Sequence, residues 1–231
     1  MCIRDRTNTT GASNTAVGRD ALVLNTTGAE NVAVGKSGLA ANTTGGDNVA
    51  IGVEALTTNT TGSDNVAVGK AALKLSTTAS NNTAVGNAAL AATTTGQENV
   101  AVGSGALDAN TTGIRNVGIG HNALSANTTA NYNVAVGRSC MSANTEGHSN
   151  VAMGYFALQQ NTTGDYNVAL GTNSLDANTT GNNNVAIGRN ALTVATTADN
   201  NTAVGHEALK LNTTGENLSL IHISEPTRRR T

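Results

Sequence analysis

The stretch from Asn59 to Leu75 reads N-T-T-G-S-D-N-V-A-V-G-K-A-A-L-K-L, and close copies of it recur every seventeen residues. Twelve copies occupy residues 8–211, numbered here as coils 1 to 12, and a thirteenth begins at Asn212 and breaks off. A fixed short period is the sequence signature of a stacked repeat architecture. The sequence therefore predicts a rod of coils, with columns of equivalent side chains, rather than a globule with a unique pocket.

Seventeen residues are enough for two short strands and two turns. In Asn65–Gly69 the alternation of Val66, Ala67 and Val68 predicts a strand, and Gly69 ends it at a turn. Ala72–Leu73 predicts a second short extended segment, and the Asn-Thr-Thr-Gly run predicts the other turn. We therefore expect an all-β fold, a parallel β-solenoid of seventeen-residue coils with two short strands per coil. At 4.7–4.9 Å per coil, twelve coils would span about 58 Å.

Comparison of the copies indicates which positions face the core. The Asn, the Gly that closes the strand, the Ala in its middle, the Val, Ile, Met or Leu after that Ala, and the later Leu vary little. We expect these positions to point inward. Variation collects in the two residues before the Asn and the two after the Gly, which we expect to be exposed turns.

The Asn at the start of the strand is present in all twelve coils, and stacked Asn side chains can hydrogen-bond along a rod. We predict a structural ladder from these residues, although the Asn-Thr-Thr triplets also read as glycosylation sequons. The ladder consists of Asn14, Asn31, Asn48, Asn65, Asn82, Asn99, Asn116, Asn133, Asn150, Asn167, Asn184 and Asn201.

The first residue after the strand-closing Gly is basic in seven coils, counting histidines, and forms a candidate surface-binding stripe. Such a stripe could meet anionic glycans or a bacterial surface, or it could be a solvated edge that pairs with acids on a neighbouring chain. It consists of Arg19, Lys36, Lys70, His121, Arg138, Arg189 and His206.

Both ends of the chain depart from the repeat. Residues 1–6 fit no phase of it, and residues 218–231 hold the only proline, Pro226, and an Arg run. Both resemble translated sequencing-adapter scars, with a genuine short basic tail as the alternative. We predict a non-native leader at 1–7, the solenoid at 8–217 and a non-native tail at 218–231. Without the five Arg and two acids of these ends, 8 basic and 13 acidic residues remain, which argues against nucleic-acid binding.

The motif Asn-Val-Ala-Val-Gly followed by Ala-Leu resembles the head repeats of YadA-like trimeric autotransporter adhesins, although the repeat here is longer. The form at Asn8–Gly18 also looks like repeats of phage tail-fibre and bacterial surface proteins. The resemblance implies a left-handed β-roll that forms a homotrimer. It also implies an extracellular place, on a bacterial cell surface with an outer-membrane-anchored parent or on a virion tail fibre. The expected function is attachment to a host-surface receptor, a matrix protein or a glycan.

The residues themselves also favour association between chains. Each coil offers few apolar side chains, most of them small, against the entropy cost of ordering seventeen residues, so we expect further burial between copies. No stretch approaches eighteen apolar residues, and we expect no membrane insertion.

Signs of an enzyme are missing from the sequence. It has no nucleophile elbow, P-loop or calcium-binding nonapeptide, so we expect no catalytic site, metal or cofactor. We expect His121, His148, His206 and His222 to be exposed turn residues. An alternative function is ice binding by the columns of Thr, although adjacent Thr positions in a strand would leave a single outward column.

Overall fold

The computed structural model describes residues 7–222. It is a single parallel sheet of thirteen three-residue strands in sequence order, in which each strand pairs only with its neighbours along the chain. The partners are seventeen residues apart, as in Val66↔Thr83 and Ala67↔Ala84. The predicted all-β parallel solenoid with seventeen-residue coils is therefore confirmed. The strands are β1 Thr15–Val17, β2 Val32–Val34, β3 Val49–Ile51, β4 Val66–Val68, β5 Thr83–Val85, β6 Val100–Val102, β7 Val117–Ile119, β8 Val134–Val136, β9 Val151–Met153, β10 Val168–Leu170, β11 Val185–Ile187, β12 Thr202–Val204 and β13 Ser219–Ile221.

Strand β13 lies in the stretch predicted to be a non-native tail. It continues the register of the repeat, because Ser219 pairs with Thr202 and Leu220 with Ala203. The predicted leader and tail otherwise lie mostly outside the described residues, at 1–6 and 223–231. The handedness of the coil stays a prediction.

The core is a narrow double column of Ala and Leu. The middle residue of each strand from β2 to β12 is fully buried, Ala in all but one and Gly118 in β7. Opposite it lie the small residue and the Leu of each coil, such as Ala72 and Leu73, with Met141 in place of Leu in coil 8. In each coil the core has room for one small side chain of the strand packed against the small residue and the Leu of the turn.

The expectation that the residue after the middle Ala points inward is wrong. Side chains of a strand alternate between its faces, so a buried Ala leaves both flanking residues on the outer face. Ile51 is 41% exposed and Met153 is 45% exposed. The apolar character of this column therefore belongs to the surface of the rod and not to its core.

The second strand of each coil is also absent from residues 7–222. The Leu column has a left-handed backbone, with φ of 49° at Leu73 and 53° at Leu124, where an extended segment was expected. Neighbouring coils are still hydrogen-bonded at this position, because Leu73 N–H donates to Ala89 C=O at 3.0 Å. A left-handed L-residue costs about 1–2 kcal/mol, and full burial of a Leu side chain returns about 1.5–3 kcal/mol. Packing therefore offsets the strain and allows the chain to turn inside seventeen residues.

Candidate functional site

The twelve predicted ladder residues form a continuous column beside the sheet. In coil 7 the Asn116 N–H and Nδ2 both donate to Asn99 Oδ1, at 2.9 and 3.2 Å, and Nδ2 also donates to Ala130 C=O at 2.8 Å. Its own Oδ1 accepts from Asn133 N–H at 3.0 Å. Each buried amide thus joins a strand, the preceding coil and the turn of the following coil. Because its donors and acceptors are engaged inside the rod, the column serves structure and offers nothing to a ligand.

A second buried Asn column runs parallel to the first, through the Asn of the Asn-Thr-Thr-Gly turn. Asn42 Nδ2 donates to Asn25 Oδ1 at 2.8 Å and to Gly45 C=O at 2.9 Å. Sequence reasoning missed this column, because turn composition alone explained the Asn. The recurrence of Asn at the first position of most coils was the signal that could have found it.

The second column has breaks where a coil replaces its Asn. Asn59 Oδ1 faces Ser76 of the next coil, and both side-chain oxygens are buried without a hydrogen-bond partner. Asn178 Oδ1 is orphaned in the same way, since Ala195 follows it in the column. A buried oxygen without a hydrogen-bond partner is destabilising, so the second column is weakest at these coils.

The predicted basic stripe is exposed along the whole rod, at the edge where each strand ends. Val53, Asn87, Ser104, Tyr155 and Thr172 interrupt it. The stripe is therefore a single column of separated charges and does not converge on a site.

Individual members of the basic stripe have local partners. Arg19 lies 3.3 Å from Asp20, and the Arg138 guanidinium lies 5.7 Å from the centre of the Tyr155 ring. Tyr155 in turn stacks against Phe156, with ring centroids 3.9 Å apart.

The opposite edge carries the residue before each ladder Asn. Its backbone is left-handed in every coil, for example φ of 57° at Asp47 and 59° at Glu98, a conformation that Asp and Asn tolerate well. Arg115 bonds to Glu98 at 2.7 Å, and this guanidinium holds the pKa of Glu98 below its usual range. The acids of this edge and the bases of the other flank the outer apolar face.

The histidines are not equivalent. His121 and His206 are exposed, as expected, but His148 is half-buried, and the expectation that it is an exposed turn residue is wrong. Its Nδ1 accepts from Asn131 N–H at 3.0 Å, and its own N–H donates to Asp165 Oδ1 at 2.6 Å. In this column, two residues before the ladder Asn, a side chain caps the backbone N–H of the preceding coil.

The two Thr columns differ in exposure. In the first, the hydroxyl donates along the rod, as from Thr43 to Thr60 C=O at 2.9 Å. In the second, Thr44 and Thr61 are exposed. One outward Thr column therefore remains for the ice-binding hypothesis.

Within residues 7–222 there is no cluster of three or more His, Cys, Asp or Glu that could hold a metal ion. The same part of the chain has no helix long and apolar enough to cross a membrane. Cys140 is buried beside the Ala column, and desolvation raises the pKa of its thiol to about 12. This thiol is protonated at neutral pH, and thiols react as thiolates, so it is no candidate nucleophile.

No protein-family model, curated protein or solved structure matches this chain.

Proposed function

We propose that the chain is the structural and adhesive rod of a homotrimeric attachment protein, a bacterial surface adhesin or a phage tail fibre. It would act outside the cell, on a bacterial surface or a virion, and attach its parent to a host surface or matrix. The observation that carries the proposal is the apolar band on the outer face of the sheet. Val, Ile, Met or Leu recurs there in every coil from 1 to 12, half-buried or exposed. A contiguous exposed apolar surface on a soluble protein marks an interaction site.

Sedimentation equilibrium of the chain at low micromolar concentration tests the assembly. We expect a mass three times that of the 23.1 kDa chain. A stable folded monomer would contradict the proposed trimer. Adhesion of labelled protein to immobilised matrix proteins and to bacterial cells tests attachment, and binding no greater than to albumin-coated surfaces would contradict that part.

The double variant Val102→Asp, Ile119→Asp should dissociate the assembly while leaving the coil intact. Both side chains lie on the outer face and are more than a third exposed, so the substitutions disturb an interface and not the core. We expect the sedimentation mass to fall toward that of one chain, with the circular-dichroism spectrum retained.

The matched control is Thr112→Asp together with Thr95→Asp, which adds the same charge to the exposed Thr column of the same two coils. This control should sediment like the wild type. Equal masses for the two double variants would mean that the apolar band is not the interface.

A further inference from the structure

The aromatic residues of this chain are confined to one place. All four, three Tyr and one Phe, lie between positions 132 and 166, in three successive coils out of twelve. Tyr132 and Tyr166 stand in the column before the ladder Asn and are 49% and 62% exposed. Other coils have Ser, Asp, Asn, Glu or Arg in this column, so the fold does not require a ring there. Exposed Tyr rings contribute large contact areas to recognition at low entropy cost.

The two rings belong to coils 8 and 10, and Ser149 of coil 9 lies between them. Two coil spacings separate them by about 9–10 Å along the rod. A ring packed between two others needs about 3.5–4.0 Å on each side, or about 7–8 Å in all for a flat ring and more for a puckered one. The small Ser149 side chain leaves that space open.

A residue of the preceding coil, Arg115, fixes the position of Tyr132. The Arg115 guanidinium lies over its ring, with Cζ 5.7 Å from the centroid, and Nη1 donates to the Tyr132 hydroxyl at 3.2 Å. Arg115 is itself fixed by Glu98 of the coil before it. The ring is therefore fixed from the side of the preceding coil, and Ser149 and Tyr166 follow Tyr132 in the same column of the next two coils.

The next column, two residues before each ladder Asn, carries the polar side chains of His148 and Asp165. His148 Nδ1 accepts from Asn131 N–H, so the proton of the neutral ring lies on Nε2. Asp165 accepts from His148 N–H through Oδ1. Within residues 7–222 no hydrogen bond uses His148 Nε2 or Asp165 Oδ2. The column next to the tyrosines thus offers one donor and one acceptor, which suits hydroxyl groups.

We propose that the notch between Tyr132 and Tyr166, with Ser149 as its floor, is a saccharide-binding site that holds one pyranose ring between the two tyrosines. Its biological role rests on the proposed attachment function, to which it adds the class of ligand. A nucleobase would also stack on Tyr, but a strand of phosphates is opposed by Asp165 and by the acidic balance of the coils.

The test begins with the whole chain on an array of neutral oligosaccharides, and the strongest ligand is then titrated in solution. Because the protein has three Tyr and no Trp, its intrinsic fluorescence reports on Tyr132, Tyr155 and Tyr166, and the Tyr155→Ala variant confines the signal to the two rings of the notch. We expect Tyr132→Ala and Tyr166→Ala each to weaken binding about tenfold or more. Tyr155→Ala, at the opposite edge, should bind as the wild type does.

The decisive variant is Ser149→Tyr. The repeat accepts Tyr in this column, so the variant should fold, and the added ring fills the notch. If the sugar binds in the notch between the two tyrosines, Ser149→Tyr should lose sugar binding. If the sugar binds to any exposed aromatic ring, the same variant should bind more tightly. The proposal is overturned if Ser149→Tyr binds as well as the wild type, if no oligosaccharide on the array is bound, or if the chain prefers single-stranded oligothymidine.

Sedimentation of the same samples separates this proposal from the assembly. A trimer whose sugar binding is unaffected by these variants refutes the slot alone. A monomer whose sugar binding depends on Tyr132 and Tyr166 refutes the trimer alone.

Discussion

Gly103→Ala should destabilise the rod more than any exposed substitution, by about 4 kcal/mol or more. Gly103 closes strand β6 with φ of 134°, a conformation that residues with a side chain rarely adopt. A Cβ built there would lie 2.5 Å from Gly120 O and 2.6 Å from Gly120 C. Since those are backbone atoms of the next coil, no side-chain rotation can relieve the overlap, and the two coils must separate.

Repeat proteins derive stability from contacts between neighbours, so a fault in the middle of the array should divide it. Thermal denaturation followed by circular dichroism should show a lower midpoint and a transition that broadens or splits in two. The matched control is Gly38→Ala, at a position where most coils already have Ala. There the nearest atom to a new Cβ is Ala33 Cβ at 3.7 Å, an ordinary contact.

We expect Gly38→Ala to be neutral or to stabilise by about 0.4–1 kcal/mol, because Ala restricts the unfolded chain. If Gly103→Ala and Gly38→Ala melt alike, the backbone approach at the end of the strand is not what restricts this position to glycine.

Asn116→Asp should cost about 3–5 kcal/mol at pH 7. The two side chains have the same shape, but an oxygen replaces the Nδ2 that donates to Asn99 Oδ1 and Ala130 C=O. The new oxygen would face two acceptors, and the carboxylate would be buried without a cation. Of the side-chain bonds of Asn116, only the one that its Oδ1 accepts from Asn133 N–H survives the change.

The deficit should depend on pH with a definite sign. Burial raises the pKa of the new carboxyl in the folded state above the unfolded value of about 3.9. The variant therefore loses most stability at pH values above its folded pKa, where the unfolded chain is ionised at no cost. Toward pH 4 the group is neutral in the folded state and can donate a proton to one of the two acceptors, so the deficit should shrink.

Urea denaturation of variant and wild type at matched pH values between 4 and 7.5 measures this difference. Asn87→Asp, in the exposed column after the strand, is the control and should stay within about 0.5 kcal/mol of wild type throughout. A deficit of the same size at every pH would show that lost hydrogen bonds, rather than a buried charge, account for the effect.

Much of this fold can be predicted from sequence, because the period restricts identical residues to identical places. The strand, its parallel register and the burial of Ala67 and Leu73 all follow from the repeat. The left-handed backbone of Leu73 does not, since residue preference alone favours an extended Leu, and only the packing of a closed coil overrides it. The second Asn column was missed for a related reason: an Asn in a turn and an Asn in a buried ladder look the same in sequence.

The candidate site depends on departures from the repeat, which the period does not predict. Three facts together define the notch at Ser149. Tyr132 and Tyr166 share a column, they are two coils apart, and Arg115 packs against Tyr132. Each residue is visible in the sequence as a variable position, but their shared edge becomes apparent only when the coils are stacked.

The sheet order, in which every strand touches only the one before and the one after, has a mechanical consequence. A pull on the two ends of the rod would separate one coil at a time, as in a zipper, because no strand braces more than its neighbours. Each released coil would lengthen from about 4.8 Å to about 58 Å at roughly 3.4 Å per extended residue. Such peeling would meet less resistance at the junctions beside Ser76 and Ala195, where Asn59 and Asn178 lack an amide partner. The rod can thus absorb work by extension while its remaining coils stay folded.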